Sequence, residues 1–358
     1  MLEAVLLVGG HGTRLRPLTA TTPKPMLPVA GVPFLAHQIS KLHDAGVDHV
    51  VLATSYKPEV FIDYFGDGSP LHIELTYVHE TEPLGTGGAI RNAHRGLRSG
   101  PDEPIVILNG DVLSGHHLAS QVDLHRRTDA DVTLHLVEVD DARAYGCVPS
   151  DDQNRVTAFL EKMPDPVTRW INAGSYVFRR SIIDTIPDDT VVSVERDTFP
   201  RLLIHGANIR AFKESAYWLD VGTPAALVKC SADLVRGIAT SSATPGPTGE
   251  ALVSSNALVA SDSHVHGGSA ISAMASVAVG ADVDGSIVMT GASVGQDSTV
   301  LRSVLGNLAS VGAGCVLVDC VVGDEAVVAD GLDPEPGTRF ESGAEVFGVG
   351  LPDRRPGQ

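Results

Sequence analysis

The sequence contains few cysteines, and none of them lies in a metal-binding or disulfide-type arrangement. Its 358 residues include 4 cysteines (Cys147, Cys230, Cys315 and Cys320), with no CxxC pair and no His/Cys cluster at zinc-ligand spacing. Secreted disulfide scaffolds and zinc modules show such patterns. We therefore expect free thiols in a reducing compartment and a cytoplasmic protein.

Long hydrophobic runs are also missing. The opening MLEAVLLVGG carries Glu3 where a signal peptide has basic residues, and its apolar run is short, so we expect no signal peptide. Every later apolar run is shorter than a membrane span. With 43% hydrophobic and 20% charged residues the composition is that of a globular chain, and the length favours two domains.

Acidic residues are absent from one stretch of an otherwise acidic chain. The chain has 44 acidic and 26 basic residues and a formal charge of -18, yet no Asp or Glu lies between Ala4 and His43. So negative a chain repels nucleic acid and anionic membranes, and we expect neither as a partner. The acid-free stretch holds the basic loop GGHGTRLRPLTATTPKPMLP. This loop predicts a binding site for a small anion.

Short apolar runs alternate with amphipathic patterns over the first two thirds of the chain. The pattern predicts strands at 4–8, 49–53, 74–78 and 105–108 and helices at 33–45 and 87–97. This alternation is typical of a Rossmann-like α/β fold with a mainly parallel sheet. Such sheets bind ligands beyond the carboxyl ends of their strands, where GGHGTR and NGDV occur. We expect both loops to face one crevice.

The composition changes near Arg236. GIATSSATPGPTGE indicates a linker, and segments such as VAVGAD and VGAGCV then place an aliphatic residue about every six positions. This spacing predicts a left-handed parallel β-helix of hexapeptide repeats, with a β-sandwich as the alternative. The spacing is irregular between Val283 and Val294 and again near Leu305. We predict a first domain at 1–235, a linker at 236–250 and a β-helix domain at 251–350.

The glycine loop (residues 9–28) has the chemistry of a phosphate site. Gly9, Gly10 and Gly12 let backbone N–H groups approach phosphate oxygens, although the loop lacks the full P-loop and dinucleotide motifs. Arg14 offers an arginine fork and Lys24 a point charge, which together suit a triphosphate.

Two carboxylates have the setting of a cation site. Asp111 follows an apolar strand on a Gly turn, and Asp220 lies in YWLDVGTP before a glycine. Together they could hold one hard divalent cation, although an Asp at position 111 could also cap a helix.

Two further segments offer groups for a polar ligand. FLEKM places Glu161 and Lys162 at the end of a predicted strand that starts at Arg155, with an exposed ion pair as the alternative. INAGSYVF adds Asn172, whose amide suits sugar hydroxyls, before a small-residue turn and another strand.

Taken in order, the segments GGHGTRLRPLT, PKPMLP, EPLGTGGAI, NGDV, FLEK, INAG and YWLDVGTP resemble the sugar-1-phosphate nucleotidyltransferases. The PKPMLP and LGTGGA forms and the hexapeptide tail are most similar to bacterial mannose-1-phosphate guanylyltransferases, the GDP-mannose pyrophosphorylases. The resemblance covers residues 1–235, the implied catalytic domain, and more loosely the tail.

The resemblance implies three groups of site residues. The implied nucleotide-binding residues are Gly9, Gly10, Gly12, Thr13, Arg14, Lys24, Leu84, Gly85, Thr86, Gly87 and Asp111. The implied sugar-phosphate residues are Gly146, Glu161, Lys162 and Asn172, and Asp111 and Asp220 would bind Mg²⁺. Arg14, Lys24, Asp111 and Lys162 form the implied catalytic set.

The resemblance further implies a homo-oligomer that transfers a guanylyl group from GTP to mannose-1-phosphate and releases pyrophosphate. Another nucleotide, or a glucose-, heptose- or cyclitol-1-phosphate such as valienol-1-phosphate, would fit the same reaction. A non-catalytic nucleotide-sugar-binding protein is a further alternative, as is a hexapeptide acyltransferase, which would need a histidine such as His264 or His266.

Overall fold

The computed structural model describes residues 1–160, 162–244 and 246–347, which fall into two compact units. The first unit combines Met1–Gly10 with Gln38–Asp220. The second combines His11–His37 with the chain from Val221 onward. Within the described residues, no helix has both the length and the apolarity to cross a lipid bilayer. All four cysteines are buried free thiols, as predicted.

The strands and helices up to residue 235 alternate along the chain. The strands are β1 (Glu3–Leu7), β2 (Pro28–Val29), β3 (Val32–Pro33), β4 (His49–Thr54), β5 (Glu74–His79), β6 (Pro104–Asn109), β7 (Val112–Ser114), β8 (Val132–Glu138), β9 (Trp170–Arg179), β10 (Ile209–Lys213) and β11 (Trp218–Asp220). The helices are α1 (Phe34–Asp44), α2 (Pro58–Phe65), α3 (Gly85–Ala93), α4 (Leu118–Arg127), α5 (Arg180–Asp184), α6 (Phe199–Ile204) and α7 (Pro224–Val235).

A mixed sheet organises the first unit, with described strands in the order β10-β8-β9-β6-β1-β4-β5. Neighbouring strands are parallel except that β9 runs antiparallel to both β6 and β8. The central strands are apolar and buried on both faces, as expected for strands in a largely parallel sheet. The predicted mainly parallel Rossmann-like sheet is confirmed.

The register of the sheet brings two loop starts together. Leu7, the last residue of β1, is paired with Asn109, the last residue of β6. The N–H of Gly110 also donates to the Leu7 carbonyl at 2.9 Å. The segments that follow β1 and β6 therefore leave the sheet side by side.

Three local predictions differ from the structure. Helix α3 begins at Gly85, which enters it with φ of 71°, and it ends at Ala93, short of the predicted end at Leu97. From Arg155 to Leu160 the chain forms only isolated bridges rather than a strand. The Asp151 carboxylate accepts the N–H groups of Gln153 and Arg155, which closes a turn there. Asn172 lies inside β9, beside a register shift, and does not precede a turn.

Short strands continue from residue 251. They are β12 (Ala251–Val253), β13 (Leu258–Val259), β14 (His264–His266), β15 (Ser269–Ile271), β16 (Ser276–Val277), β17 (Asp282–Asp284), β18 (Ile287–Val288), β19 (Ser293–Val294), β20 (Thr299–Leu301), β21 (Val304–Leu305), β22 (Ser310–Val311), β23 (Val316–Val318), β24 (Val321–Val322), β25 (Val327–Val328), β26 (Arg339–Phe340) and β27 (Glu345–Val346).

These strands form parallel sheets on three sides of one aliphatic core. The described sheets have the orders β12-β15-β18-β21-β24-β26, β13-β16-β19-β22-β25-β27 and β14-β17-β20-β23. This is the architecture of the predicted left-handed hexapeptide β-helix, and the β-sandwich alternative is wrong.

A buried ladder explains the irregular spacing of the repeats. The N–H groups of Ser286, Ser303 and Cys320 each donate to the hydroxyl of a serine 17 residues earlier. A coil of 17 residues is one residue short of three hexapeptides, so the aliphatic spacing must slip once in each coil.

Helix α7 and the hairpin of β2 and β3 pack together in the second unit. The N–H of Ala30 donates to the Ser231 hydroxyl at 3.0 Å. A Cβ placed on Gly268 would lie 2.7 Å from the Cα of Ala232, so the first coil of the β-helix meets α7 backbone to backbone. The segment that follows the glycine loop is thereby joined to the β-helix.

Candidate active site

The glycine loop folds tightly upon itself. Gly12 adopts φ of 57° and precedes a 3₁₀ turn at Thr13–Leu15. A Cβ at Gly12 would lie 3.0 Å from the Cβ of Lys24 and 3.1 Å from the Thr19 methyl. The Thr19 hydroxyl also donates to the Gly12 carbonyl at 2.9 Å. Only glycine allows this approach, and it brings the stem of Lys24 against the turn that carries Arg14.

The side chain of Arg14 lies over the backbone of Gly222. A Cβ built on Gly222 would be 2.7 Å from Nη2 of Arg14 and 3.0 Å from its Cζ. Arg14 and Thr13 are otherwise exposed. The missing side chain at position 222 thus leaves the space that the guanidinium occupies.

Gly9 and Gly10 leave the carboxyl end of β1 and are exposed. The N–H of Gly10 donates to the Ser55 hydroxyl at 3.1 Å. A Cβ on Gly9 would lie 2.9 Å from the same oxygen. Ser55 therefore shapes the start of the glycine loop, a role that sequence reasoning missed.

Strand pairing brings the backbone segments that carry the two predicted metal aspartates close together. In the antiparallel ladder of β7 and β11, Asp220 is directly opposite Val112, the residue after Asp111. A Cβ on Gly110 would lie 2.3 Å from the Leu7 carbonyl oxygen, so glycine is required at this turn. The Gln38 amide fixes the turn by donating to the carbonyls of Asn109 at 2.8 Å and Val112 at 2.9 Å.

The donor set fits a divalent cation that is bound mainly by its substrate. Asp111 and Asp220 supply hard carboxylate oxygens at one end of the ladder. Within the described part of the chain there is no group of three or more His, Cys, Asp or Glu residues that could hold a metal. Mg²⁺ commonly binds through one or two carboxylates, and phosphate and water fill its other positions.

Buried titratable side chains lie next to β7 and the residues that follow it. The Lys41 ammonium donates to the carbonyls of Ser114 at 2.5 Å and His116 at 2.9 Å. Burial lowers the pKa of Lys41 to about 7, against the opposing charge of Glu214. Burial also holds the pKa of His116 well below its usual range, and His116 stacks on His135 with ring centroids 3.9 Å apart. Lys41 is therefore close to its pKa at neutral pH, whereas the low pKa of His116 favours its neutral form.

A cavity of about 500 Å³ lies in the first unit. Two of the predicted sugar-phosphate residues, Gly146 and Asn172, line this cavity. The Asn172 amide is held at both ends: its Nδ2 donates to the Tyr176 hydroxyl at 2.9 Å, and its Oδ1 accepts the N–H of Gly174 at 3.1 Å. The cavity therefore presents an oriented amide rather than a mobile one.

The cavity adjoins the aspartate pair. Tyr145 lines the cavity and packs edge-on against Trp218, with ring centroids 5.6 Å apart. Burial raises the pKa of the Tyr145 hydroxyl, and the charge of Asp220 raises it further. The sequence analysis identified neither aromatic residue, although Trp218 lies two residues before Asp220 in the YWLDVGTP segment.

Glu195 is the main cavity residue that sequence reasoning missed. Its carboxylate accepts the hydroxyls of Thr86 at 2.9 Å and Ser193 at 2.9 Å, and the Tyr176 hydroxyl lies 3.3 Å away. The adjacent Arg196 also lines the cavity. The contact with Thr86 joins a predicted nucleotide residue to the cavity wall.

The LGTGG segment packs closely against residues 190–192. A Cβ on Gly85 would lie 2.7 Å from the Val192 carbonyl oxygen, and the N–H of Gly87 donates to that oxygen at 2.8 Å. The Leu84 carbonyl in turn accepts the N–H of Val192 at 2.9 Å. The glycines at 85 and 87 therefore serve this backbone packing. Gly85 is exposed, Gly87 is buried, and Leu84 and Thr86 are both half-buried.

The last two predicted residues belong to the FLEK segment. Lys162 is exposed, and Glu161 lies outside the described residues. Leu160 lines the cavity and bridges Cys147, with N–H to carbonyl bonds of 2.9 and 3.0 Å. Lys162 follows Leu160 by two residues in the chain.

Comparison with known proteins shows the relationship of the chain. The Nucleotidyl transferase family matches residues 3–237, and the GlmU-like C-terminal hexapeptide family matches residues 251–335. A mannose-1-phosphate guanylyltransferase of Mycobacterium tuberculosis is 52% identical over 291 residues, which cover 81% of this chain and 80% of that protein.

More distant relatives match a smaller share of the chain. Mannose-1-phosphate guanylyltransferase 1 of Arabidopsis thaliana is 38% identical over 225 residues, 62% of each chain. The crystal structure of HddC from Yersinia pseudotuberculosis complexed with GMP-PN has a TM-score of 0.55 and 33% identity, and the match covers 64% of this chain and 98% of that one. The chain belongs to the nucleotidyl transferase family.

Proposed function

We propose that this protein transfers the guanylyl group of GTP to mannose-1-phosphate, giving GDP-mannose and pyrophosphate. The observation that carries the proposal is the β7–β11 ladder, which pairs Asp220 with Val112 and so brings the backbone of Asp220 close to that of Asp111, beside the cavity that Asn172 lines. The names of the relatives and the GMP-PN complex of a structural relative support guanine and mannose. Glucose-, heptose- and cyclitol-1-phosphates are the competing acceptors.

The glycine loop would bind the triphosphate. The exposed backbone at Gly10 and Thr13 and the half-buried backbone at Gly12 can approach phosphate oxygens, and the absence of acidic residues from 4–43 avoids repulsion. Arg14, held over Gly222, would contact the reacting phosphates, and Lys24 would contact the departing pyrophosphate.

The chemistry needs positioning more than proton transfer. An oxygen of the sugar phosphate attacks the α-phosphorus of GTP, and the bond between the α-phosphorus and the β-phosphate bridging oxygen breaks. The nucleophile is already ionised, so no general base is required. Fixed cations at the phosphates stabilise the charge that develops during the transfer.

Enzymes of this family use a divalent metal ion, and we propose Mg²⁺ here. Asp111 and Asp220 would hold it through carboxylate oxygens, and Gln38 keeps the turn of Asp111 in place. When bound, the ion would neutralise phosphate charge and orient the α-phosphate toward the sugar phosphate.

The sugar phosphate would occupy the 500 Å³ cavity. The oriented amide of Asn172 and the carboxylate of Glu161 would bind hydroxyls, Gly146 would allow close approach of the sugar, and Lys162 would bind the phosphate. Glu195, which accepts a hydrogen bond from the Thr86 hydroxyl, supplies a further acceptor on the cavity wall.

A substrate matrix tests the proposal. GTP, ATP, UTP and dTTP are each combined with the mannose-, glucose-, heptose- and valienol-1-phosphates, and products are identified by mass. We expect GDP-mannose to form with the highest kcat/KM, because a lost base hydrogen bond costs about 1–3 kcal/mol. Faster turnover with another pair would reassign the substrates, and no turnover with any pair would reject the proposal.

A pair of variants tests the metal site in the same assay. Asp111→Asn and Asp220→Asn should each lower kcat and raise the Mg²⁺ concentration needed for half-maximal rate. Asp123→Asn, on the exposed face of α4, is the matched control and should behave like wild type. Unchanged metal dependence in both site variants would remove the pair from the mechanism.

The homo-oligomer and the domain limits at 235 and 251 remain predictions. Light scattering of the full chain would measure the first.

A further inference from the structure

A side chain of the β-helix contacts the glycine loop directly. Arg339, in β26, donates from Nη1 to the carbonyl of Arg14 at 2.9 Å and to the carbonyl of Arg16 at 2.9 Å. Both ends of this contact belong to the second unit. Arg339 is 325 residues from Arg14 and 323 residues from Arg16 in the chain.

The turn at Thr13–Leu15 lacks a donor that Arg339 supplies. In this 3₁₀ turn, the N–H of Leu15 bonds the Gly12 carbonyl and the N–H of Arg16 bonds the Thr13 carbonyl. The next bond in the series would run from residue 17 to the Arg14 carbonyl. Residue 17 is proline, which has no N–H to give. The guanidinium of Arg339 therefore closes the turn from outside.

A second contact holds the far side of the same loop. The Thr21 hydroxyl donates to Oδ2 of Asp324 at 2.5 Å. Oδ1 of Asp324 accepts the N–H of Asn307 at 2.8 Å, which fixes the carboxylate on the neighbouring coil. The loop is thus attached to two successive parts of the β-helix, one on each side of Pro17.

We propose that the β-helix positions the glycine loop for catalysis and that Arg339 is the positioning residue for Arg14. This inference rests on the proposed function, in which Arg14 contacts the reacting phosphates. Holding the Arg14 carbonyl fixes the backbone from which its side chain reaches over Gly222. A third guanidinium beside Arg14 and Arg16 also adds positive potential at the loop of a chain with formal charge -18.

Steady-state kinetics on the full chain test the inference. Arg339→Met removes both hydrogen bonds and the charge but keeps most of the stem, and it should lower kcat/KM for GTP about tenfold. The KM for the sugar phosphate should stay within about twofold. Arg339→Lys keeps the charge and one donor group, so it should recover most of the loss.

A matched arginine provides the control. Arg302 is also exposed on the β-helix, but its guanidinium bonds the Asp319 carboxylate at 2.8 and 3.0 Å, away from the loop. Arg302→Met should leave all kinetic constants within about twofold. If both variants lowered activity equally, the effect would be general to the β-helix and the inference would be wrong.

Hydrogen exchange gives a readout that does not depend on activity. The amides of Leu15 and Arg16 are hydrogen-bonded within the turn, so a peptide covering them should exchange faster in Arg339→Met and not in Arg302→Met. Thr21→Val, which deletes the second contact and leaves the β-helix intact, should also speed exchange. This variant keeps the inference testable if Arg339→Met does not fold.

The variant Arg14→Met distinguishes the positioning role of Arg339 from the proposed phosphate contact of Arg14. If Arg14→Met lowers activity while Arg339→Met and Thr21→Val change neither kinetics nor exchange, the positioning role is wrong and the proposed function stands. If Arg14→Met itself retains full activity, the proposed phosphate contact fails first. Faster exchange without any loss of kcat/KM would show a structural contact with no catalytic role.

Discussion

Alanine at position 222 should disable Arg14 without changing Arg14 itself. The new methyl group would be built 2.7 Å from Nη2, 3.0 Å from Cζ and 3.1 Å from Nη1 of Arg14. These distances are shorter than carbon and nitrogen atoms tolerate, so one group must move. The guanidinium is the far end of a flexible, exposed side chain and will move before the backbone does.

The expected effect on stability is therefore small, whereas the effect on activity is large. Gly222 itself is buried, but the group that must move is the exposed side chain of Arg14, so we expect the free energy of unfolding to change by about 0.5 kcal/mol or less. A displaced guanidinium loses a charge-assisted contact with phosphate, which contributes about 1.5–3 kcal/mol. That corresponds to a roughly ten- to hundredfold fall in kcat/KM.

A double-mutant cycle provides the assay. Pyrophosphate release is measured for Gly222→Ala, for Arg14→Met and for the double variant, and denaturant unfolding is measured for each. If alanine acts by displacing Arg14, it should have little further effect once Arg14 is methionine. Gly100→Ala is the control, because a Cβ there meets no atom within 4 Å. Wild-type activity in Gly222→Ala beside an impaired Arg14→Met would refute the reasoning.

Three other outcomes follow from the structure. Gly110→Ala would put a Cβ 2.3 Å from the Leu7 carbonyl oxygen, so unfolding in denaturant should show a loss of about 1–3 kcal/mol. Burial holds the pKa of His125 and His135 at about 4, below the ordinary 6.5, so only the unfolded state gains these protons as the pH falls from 6.5 to 4. Stability should fall over that range by up to about 1.4 kcal/mol per pH unit for each histidine, and a flat profile from pH 7 to 5 would contradict this. Lys162→Met should raise chiefly the KM for the sugar phosphate and Lys24→Met should act chiefly on GTP or kcat, each about ten- to hundredfold, as varying each substrate in turn would measure.

The sheet could be predicted because its strands are short apolar runs with glycine or polar loops at their ends. The predicted strand at 105–108 and the observed β6 differ by one residue at each end. The observed β4 is one residue longer than the predicted strand at 49–53, because it ends at Thr54. The antiparallel β9 could not be predicted in the same way, because a strand buried on both faces has the same pattern in either direction. The order of strands depends on their connections and not on their composition.

The cavity wall was the least predictable part of the site. Glu195 lies in an irregular π-helical turn at Val194–Thr198, and Tyr145 lies in a loop, so neither follows a strand end or a periodic pattern. Both reach the cavity through tertiary contacts, Glu195 with Thr86 and Tyr145 with Trp218. Residues whose position depends on such contacts leave no local signal.

The β-helix shows how a degenerate repeat can still carry a specific role. The coils keep an aliphatic core on the inside, and Arg339 and Asp324 lie outside that core, where they contact the glycine loop. The loop in turn contains Pro17, which leaves the Arg14 carbonyl without a local donor. A loop that must hold Arg14 in place thus carries a gap in its own hydrogen bonding, and the tail fills it. Removal of the chain after residue 236 should therefore affect more than the assembly of subunits. The glycine loop would lose both of its attachments to the β-helix, and the enzyme would lose affinity for GTP before it lost its fold.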